Sequence, residues 1–272
     1  IRLASGEDMF MLNYQKDKIL ELNPKSIVVD YQLLAGKSKQ EVMNILLALQ
    51  TLNLPLQVAI TGQSIDRESE NTIKSLGISL VSHDKAIEDG EKGSLKEPNP
   101  VEIVESNTVC AALAHILDNP LESIRLTGQP AALFTPEGLL TPFYFAYSII
   151  SQISGAITEH RDQYMIVKNK KTVYLLIFQT DDNSKLKVHI HINGIRGKRY
   201  IIERSFTKEH NCFETLKALK NPPVLTDSIK SHIDTISAGT VQLSCVEAKE
   251  RLDLNFDMEP ESLVFIEIHN LG

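Results

Sequence analysis

Tryptophan is absent from the 272 residues, and only 6% of them are aromatic. Proteins that grip sugars lean on aromatic faces for stacking, so this composition weighs against a working polysaccharide enzyme. Cysteine is scarce too. Cys110, Cys212 and Cys245 are too few and too scattered for a disulfide scaffold or a zinc knuckle, which leaves buried free thiols in a reducing compartment. No apolar run approaches the roughly 18 residues that span a bilayer, and no basic-plus-apolar leader is present. The expectation is a cytoplasmic chain with no membrane partner. Positive charge is in deficit, with 28 Lys and Arg against 35 Asp and Glu. Phosphate backbones demand a basic surface, so any DNA would be held by residues outside this chain. Gly-x-Gly-x-x-Gly, P-loop and Gly-x-Ser-x-Gly motifs are missing, which excludes the usual nucleotide cofactors and serine-hydrolase chemistry. No cofactor is expected. The chain opens on Ile1 rather than Met, as a fragment or processed form would.

What is present is an ordinary globular composition, 42% hydrophobic and 23% charged, on a length sufficient for one large or two medium cores. Ser26–Tyr31, Leu56–Thr61, Ile78–Ser82, Val101–Glu105 and Ser123–Thr127 are short β-branched runs of the kind buried on both faces of a parallel sheet. Met9–Leu12 is a weaker sixth candidate. Between them the period becomes helical. Ser38–Leu52 puts Val42, Ile45, Leu46, Leu49 and Leu52 on one stripe behind a Ser38/Glu41 capping box. Asn107–Leu117 repeats the device, and Glu68–Leu76 stops at Gly77. Lys85 to Asn99 reads as a charged loop. Strand and helix at this rhythm predict βα units. A complete (β/α)8 barrel needs about 250 residues, so the units here make an incomplete one.

Pro136 to Asp182 marks a change. A Pro-capped helix over Thr141–Ile153 runs through Ser-Gly into the apolar strands Tyr164–Lys168 and Val173–Gln179. Beyond them the period is two: Leu186, Val188, Ile190 and Ile192 alternate with Lys187, His189, His191 and Asn193. Val241-Leu243-Cys245 and Leu252-Leu254-Phe256-Met258 alternate likewise, Leu263–Ile268 closes the set, and a short helix near Glu214–Leu219 precedes Asn221-Pro222-Pro223. Six or so strands with one buried face predict an antiparallel β-sandwich. The fold class is therefore α/β plus all-β: an incomplete TIM-barrel-like domain over 1–158, then an antiparallel β-sandwich over 159–272.

The string Gly138-Leu139-Leu140-Thr141-Pro142-Phe143-Tyr144-Phe145-Ala146-Tyr147, followed by Tyr164–Val167, Val173–Phe178, Lys198–Arg204 and Glu259–Val264, resembles the C-terminal half of glycoside hydrolase family 39 (β-xylosidase-like) proteins. The likeness covers about Asn107 to the end. It implies a barrel leading into a sandwich, and a retaining mechanism in which paired carboxylates about 5–5.5 Å apart act as acid/base and nucleophile. The family carries its acid/base in Asn-Glu-Pro, which this chain lacks. Lys96-Glu97-Pro98 is the nearest string. Glu105, at the end of VEIV, matches the nucleophile position, but Ser106 stands where the family has Trp. The resemblance thus implies a degenerate enzyme. It extends to the C-terminal regions of long AraC-family transcriptional regulators of low-GC Gram-positive bacteria, staphylococcal ones in particular, in which a helix-turn-helix precedes such a module.

Several residues at predicted strand ends are candidates for a ligand pocket: Tyr31, Gln63, His83, Glu105 and Gln129. Against each stands ordinary loop polarity, and for Glu105 also a capping role on the helix that follows, where the N-terminal dipole favours a carboxylate. His189-x-His191 has the spacing of a metal pair but lies on the polar side of an alternating strand without a third ligand; a solvated face is expected, and no metal. Phe143, Tyr144, Phe145 and Tyr147 are spaced to pack rather than to form a platform. The expected role is the ligand-sensing or oligomerising half of a catalytically inactive, glycosidase-like AraC-type regulator. Its partners would be a small molecule or sugar and a second copy of itself. An active retaining xylosidase with a rearranged acid/base, or a purely structural dimerisation module, are the alternatives.

Overall fold

The computed structural model describes residues 1–60, 65–82, 108–118, 124–128, 131–181 and 184–270. Contacts divide the chain into two compact units, Ile1–Val101 with Leu121–Gly138, and Glu102–Pro120 with Leu139–Gly272. The architecture is mixed α/β with one parallel sheet and further antiparallel sheets.

In the first unit, β1 (Arg2–Leu3), α1 (Gly6–Tyr14), α2 (Lys16–Glu21), β2 (Ile27–Asp30), α3 (Lys39–Gln50), β3 (Leu56–Ile60), α4 (Arg67–Ser75) and β4 (Ser79–Ser82) follow one another. The strands form a four-stranded sheet in chain order, every pair parallel. Leu3, Val29 and Val58 are fully buried between helices whose inward residues include Leu46 and Ile73. Each such side chain contributes about 1.5–3 kcal/mol of burial. α3 starts as its capping box predicts, with Ser38 and Glu41 satisfying each other's backbone N–H groups. Gly77, at φ +71°, ends the α4 turn in the left-handed conformation open to glycine.

Two expectations fail here. Met9–Leu12 is helix, not strand. Ser5 caps α1 and Asp8 bonds back to the Ser5 backbone, a short capping box that outweighs the apolar run. Ser123–Thr127 does not form a full strand among its described residues; Arg125 alone bridges in parallel to Arg2 on the free side of β1. The candidate strand Val101–Glu105 and the charged loop of Lys85 to Asn99 lie outside the described residues.

The second unit holds α5 (Val109–Asp118), α6 (Pro142–Gln152), β5 (Ala156–Arg161), β6 (Tyr164–Lys168), β7 (Thr172–Gln179), β8 (Leu186–Asn193), β9 (Gly197–Phe206), α7 (Cys212–Ala218), α8 (Asp227–Ser237), β10 (Thr240–Ala248), β11 (Arg251–Met258) and β12 (Ser262–Asn270). Thr141 caps α6 with Pro142 in its first turn, where a missing N–H costs nothing. The strands form a six-stranded antiparallel sheet, β10-β9-β12-β7-β6-β5, and a two-stranded sheet, β11-β8. One cluster joins them: Leu175, Ile177, Ile201, Val264, Ile266 and Ile268 from the larger sheet pack with Leu252 and Met258 and, partly buried, Val188 and Ile190 from the smaller. On the opposite face, α5 packs against α6, β7 and β12, where Tyr174 and Phe265 stack at 6.2 Å.

The division at 158/159 expected from element type falls just after β5 begins. The compact unit that holds these strands also holds α5 and α6, with α5 packed on β7, β12 and α6. α8 was hidden by the Pro222-Pro223 break: Thr226 starts a fresh helix where only strands were expected. The Val241-Leu243-Cys245 alternation was expected to bury one face, yet Leu243 is 76% and Val241 51% exposed. β10 is the outermost strand of the larger sheet among the described residues. Cys245 is accordingly exposed while Cys110 and Cys212 are buried, correcting the expectation of three buried thiols.

Candidate functional site

Parallel strands aim their C-terminal ends at one edge, and there the first unit gathers its polar groups. β2 ends on Asp30 and turns directly into Tyr31. Tyr31, 5% exposed, donates its hydroxyl to Asp66 Oδ2 at 2.5 Å. Asp66 is also the N-cap of α4, accepting from the Ser69 N–H at 2.8 Å. The Ser69 side chain, the Tyr31 hydroxyl and the Ser69 N–H together hold the Asp66 carboxyl at about 2.

The neighbouring acids are equally committed. Asp30 accepts two bonds from Arg2 Nε, at 2.9 and 3.1 Å, and one from Nη2 at 3.0 Å. Asp8 is wholly buried. It accepts from the Ala4 and Ser5 N–H groups at 3.0 Å each, from Thr127 N–H at 3.1 Å and from Arg125 Nε at 3.1 Å. Burial pushes this carboxyl up, but the Ala4 and Thr127 N–H groups and the Arg125 guanidinium outweigh it and hold it below the usual carboxylate range. Asp8 thereby pins the 125–127 segment beside β1. A cavity of about 250 Å³ opens next to this clamp, lined by Gly6, Glu7, Phe10, Met11, Thr127 and Pro136. Phe10, 65% exposed, stacks on Tyr14 with centroids 5.9 Å apart.

Of the strand-end candidates, Tyr31 is therefore a hydrogen-bonded, buried residue that fixes Asp66. Gln63, His83, Glu105 and Gln129 lie outside the described residues. Asp8, Asp30 and Asp66 carry the geometry of this edge, and Ser5-x-x-Asp8 and Asp66-x-x-Ser69 were the sequence signals for two of them.

In the second unit, a cavity of about 300 Å³ lies between β6, β7 and β8, lined by Tyr164, Ile166, Leu175, Ile177, Val188 and Ile190, with Glu159, His189 and His191 also at its walls. Each histidine has a cross-strand partner: His189 Nδ1 lies 2.6 Å from Asn255 Oδ1, and His191 Nδ1 2.5 Å from Asp253 Oδ1. Both are exposed, on the polar side of β8. Among the described residues no group of three His, Cys, Asp or Glu side chains is placed to hold a metal ion. Phe143, Tyr144 and Phe145 are buried, with Phe145 5.5 Å from Tyr144 and 6.0 Å from Phe206. Burial pushes the Cys110 thiol up to about 12, far from a reactive thiolate. No described helix is long and apolar enough to cross a membrane.

No family model matches the sequence, and no curated protein matches it. Solved structures do. A monomeric β-xylosidase from Caulobacter crescentus CB15 is 12% identical with a TM-score of 0.52, covering 98% of this chain and 74% of that one. The GH39 enzyme from Xanthomonas axonopodis pv. citri is 11% identical with a TM-score of 0.54, covering 97% and 72%. The chain has a glycoside-hydrolase-like fold. At this identity the likeness is one of fold alone.

Proposed function

We propose that the first unit is part of an eroded (β/α) barrel, that the second is a β-sandwich, and that the whole is a catalytically silent, glycosidase-like module. In this reading it forms the ligand-sensing or oligomerising half of an AraC-type transcriptional regulator, with DNA held by residues elsewhere. One observation carries the loss of catalysis. A retaining glycosidase needs one carboxyl held protonated near a second that is ionised. The described acids at the first unit's strand ends, Asp8, Asp30 and Asp66, are instead each locked to an arginine, a tyrosine or a helix cap, and Asp8 and Asp66 are shifted downward. The missing Asn-Glu-Pro and the absent tryptophan point the same way.

A ligand would lie over the cavity beside Phe10, where an exposed ring offers a stacking face and Glu7 a hydrogen-bond acceptor. Binding there would bear on the Asp8–Arg125 clamp, and only a ligand that favours one arrangement of that clamp could signal. The test is deletion of these residues from the full-length regulator. Promoter binding and activation should change; unchanged regulation would sink the reading. The fold likeness to a β-xylosidase favours one rival, an active enzyme using Glu105. Turnover of aryl xylosides that vanishes in Glu105→Gln would establish it.

A further inference from the structure

The six-stranded sheet has two edges built on opposite plans. β5 carries Glu159, His160 and Arg161 and a register shift between Ile157 and Glu159. Charges and bulges of this kind keep an edge strand from recruiting another. β10 has neither safeguard. Its nine residues, TVQLSCVEA, pair with β9 in unbroken register from Thr240↔Ser205 to Ala248↔Gly197. It contains no proline and no lysine, and Glu247 is its one charge. Among the described residues no strand occupies its outer side. At about 3.4 Å per residue it offers roughly 30 Å of edge, with about half its N–H and C=O groups turned outward. On one face it exposes Val241, Leu243 and Cys245, continuous with the half-exposed Tyr200 that lies opposite Cys245 on β9.

We propose that β10 is a self-pairing edge: two copies of this chain join antiparallel through it, merging their six-stranded sheets across a twofold axis. A second copy is the occupant the strand itself specifies. Antiparallel pairing about Leu243 sets Val241 opposite Cys245 and Gln242 opposite Ser244, so the central five residues meet apolar with apolar and polar with polar. It also sets no like charges opposite each other, since Glu247 would face Gly239 of the other copy. The paired Val241 and Leu243 side chains would then cover one another along with Tyr200. This specifies a surface for the oligomerising role proposed above without requiring that role, because a glycosidase could pair in the same way.

The test is sedimentation of the whole chain over a hundredfold range of concentration, with cross-linking of variants carrying one surface cysteine, Cys110 and Cys212 being buried. In a Cys245→Ser background, cysteines placed in turn at Gln242, Leu243, Ser244 and Val246 should cross-link with one maximum, because only the residue on the axis meets its own copy at about 5 Å between Cβ atoms. Leu243→Lys should weaken the dimer at least roughly tenfold, whereas Ile157→Lys on the β5 edge should leave it intact. A concentration-independent monomer overturns the proposal and leaves the edge to another protein's strand. A dimer that survives Leu243→Lys, or cross-links uniformly along β10, places the interface elsewhere and overturns it too. Loss of regulation with the dimer intact, or the reverse, separates this inference from the regulatory reading.

Discussion

In the first unit the strands are short, five residues at most in β3 and two in β1, and their ends are tied by side chains: Arg2 to Asp30, Tyr31 to Asp66, Asp8 to Arg125 and Thr127. In the second unit the ladders run eight to ten residues from β7 through β12, and a continuous apolar cluster joins the two sheets. The first arrangement depends on ionised groups at the edge where enzymes of this architecture do chemistry. The second depends on apolar area, with its polar pairs left on the outside. In the first unit Asp8, Asp30 and Asp66 act as bolts between neighbouring segments.

Substitutions in either unit put this contrast to the test. The largest effect is expected from Phe265→Ala, which empties a 1%-exposed site stacked on Tyr174; a loss of about 3–5 kcal/mol by denaturant titration would locate the second unit's stability in its core. Asp8→Ala should cost about 3 kcal/mol, because it strands Arg125 and removes the Asp8 half of the α1 capping box. Hydrogen exchange should show that loss around β1 and residues 124–128; if protection falls instead in the strands of the second unit, the contrast is wrong.

Acid should separate the units further. Asp66 and Asp8 have folded values below their unfolded ones. The Asp66 contribution is therefore present above the ordinary carboxylate value of about 4 and is lost as the pH falls toward about 2, and Asp8 acts in the same sense. Burial raises the Glu203 carboxyl on β9, so that group works in the opposite sense and favours the fold as it takes up its proton. First-unit amides should lose protection first on acidification, and Asp66→Asn should flatten the window while retaining a cap. The smallest energetic change expected is from Tyr31→Phe, about 1 kcal/mol for one hydrogen bond. At the surface, Cys245 should react with thiol reagents in the native state, while Cys110 and Cys212 should react only on unfolding.

The sequence disclosed those features that repeat locally. Alternation in Leu186–Asn193 predicted which side of β8 is wet, and the Ser38/Glu41 box predicted the start of α3. It misled where context decides the outcome. Met9–Leu12 is apolar enough for a strand, but Ser5 and Asp8 wind it into helix. Leu243 alternates like a core residue yet sits on an edge that no local pattern announces. The candidate site was harder still. The place of Tyr31 at a strand end is legible, but its partner lies 35 residues away, and the Asp8–Arg125 pair spans 117. Only the parallel topology brings such groups together.

The proposed catalytic silence of this glycosidase-like fold is tested most directly by incubating the whole chain with a panel of aryl β-xylosides and related glycosides, alongside Glu105→Gln. The account predicts release indistinguishable from the uncatalysed rate for both proteins. Turnover by the unaltered chain that disappears in the variant would contradict it.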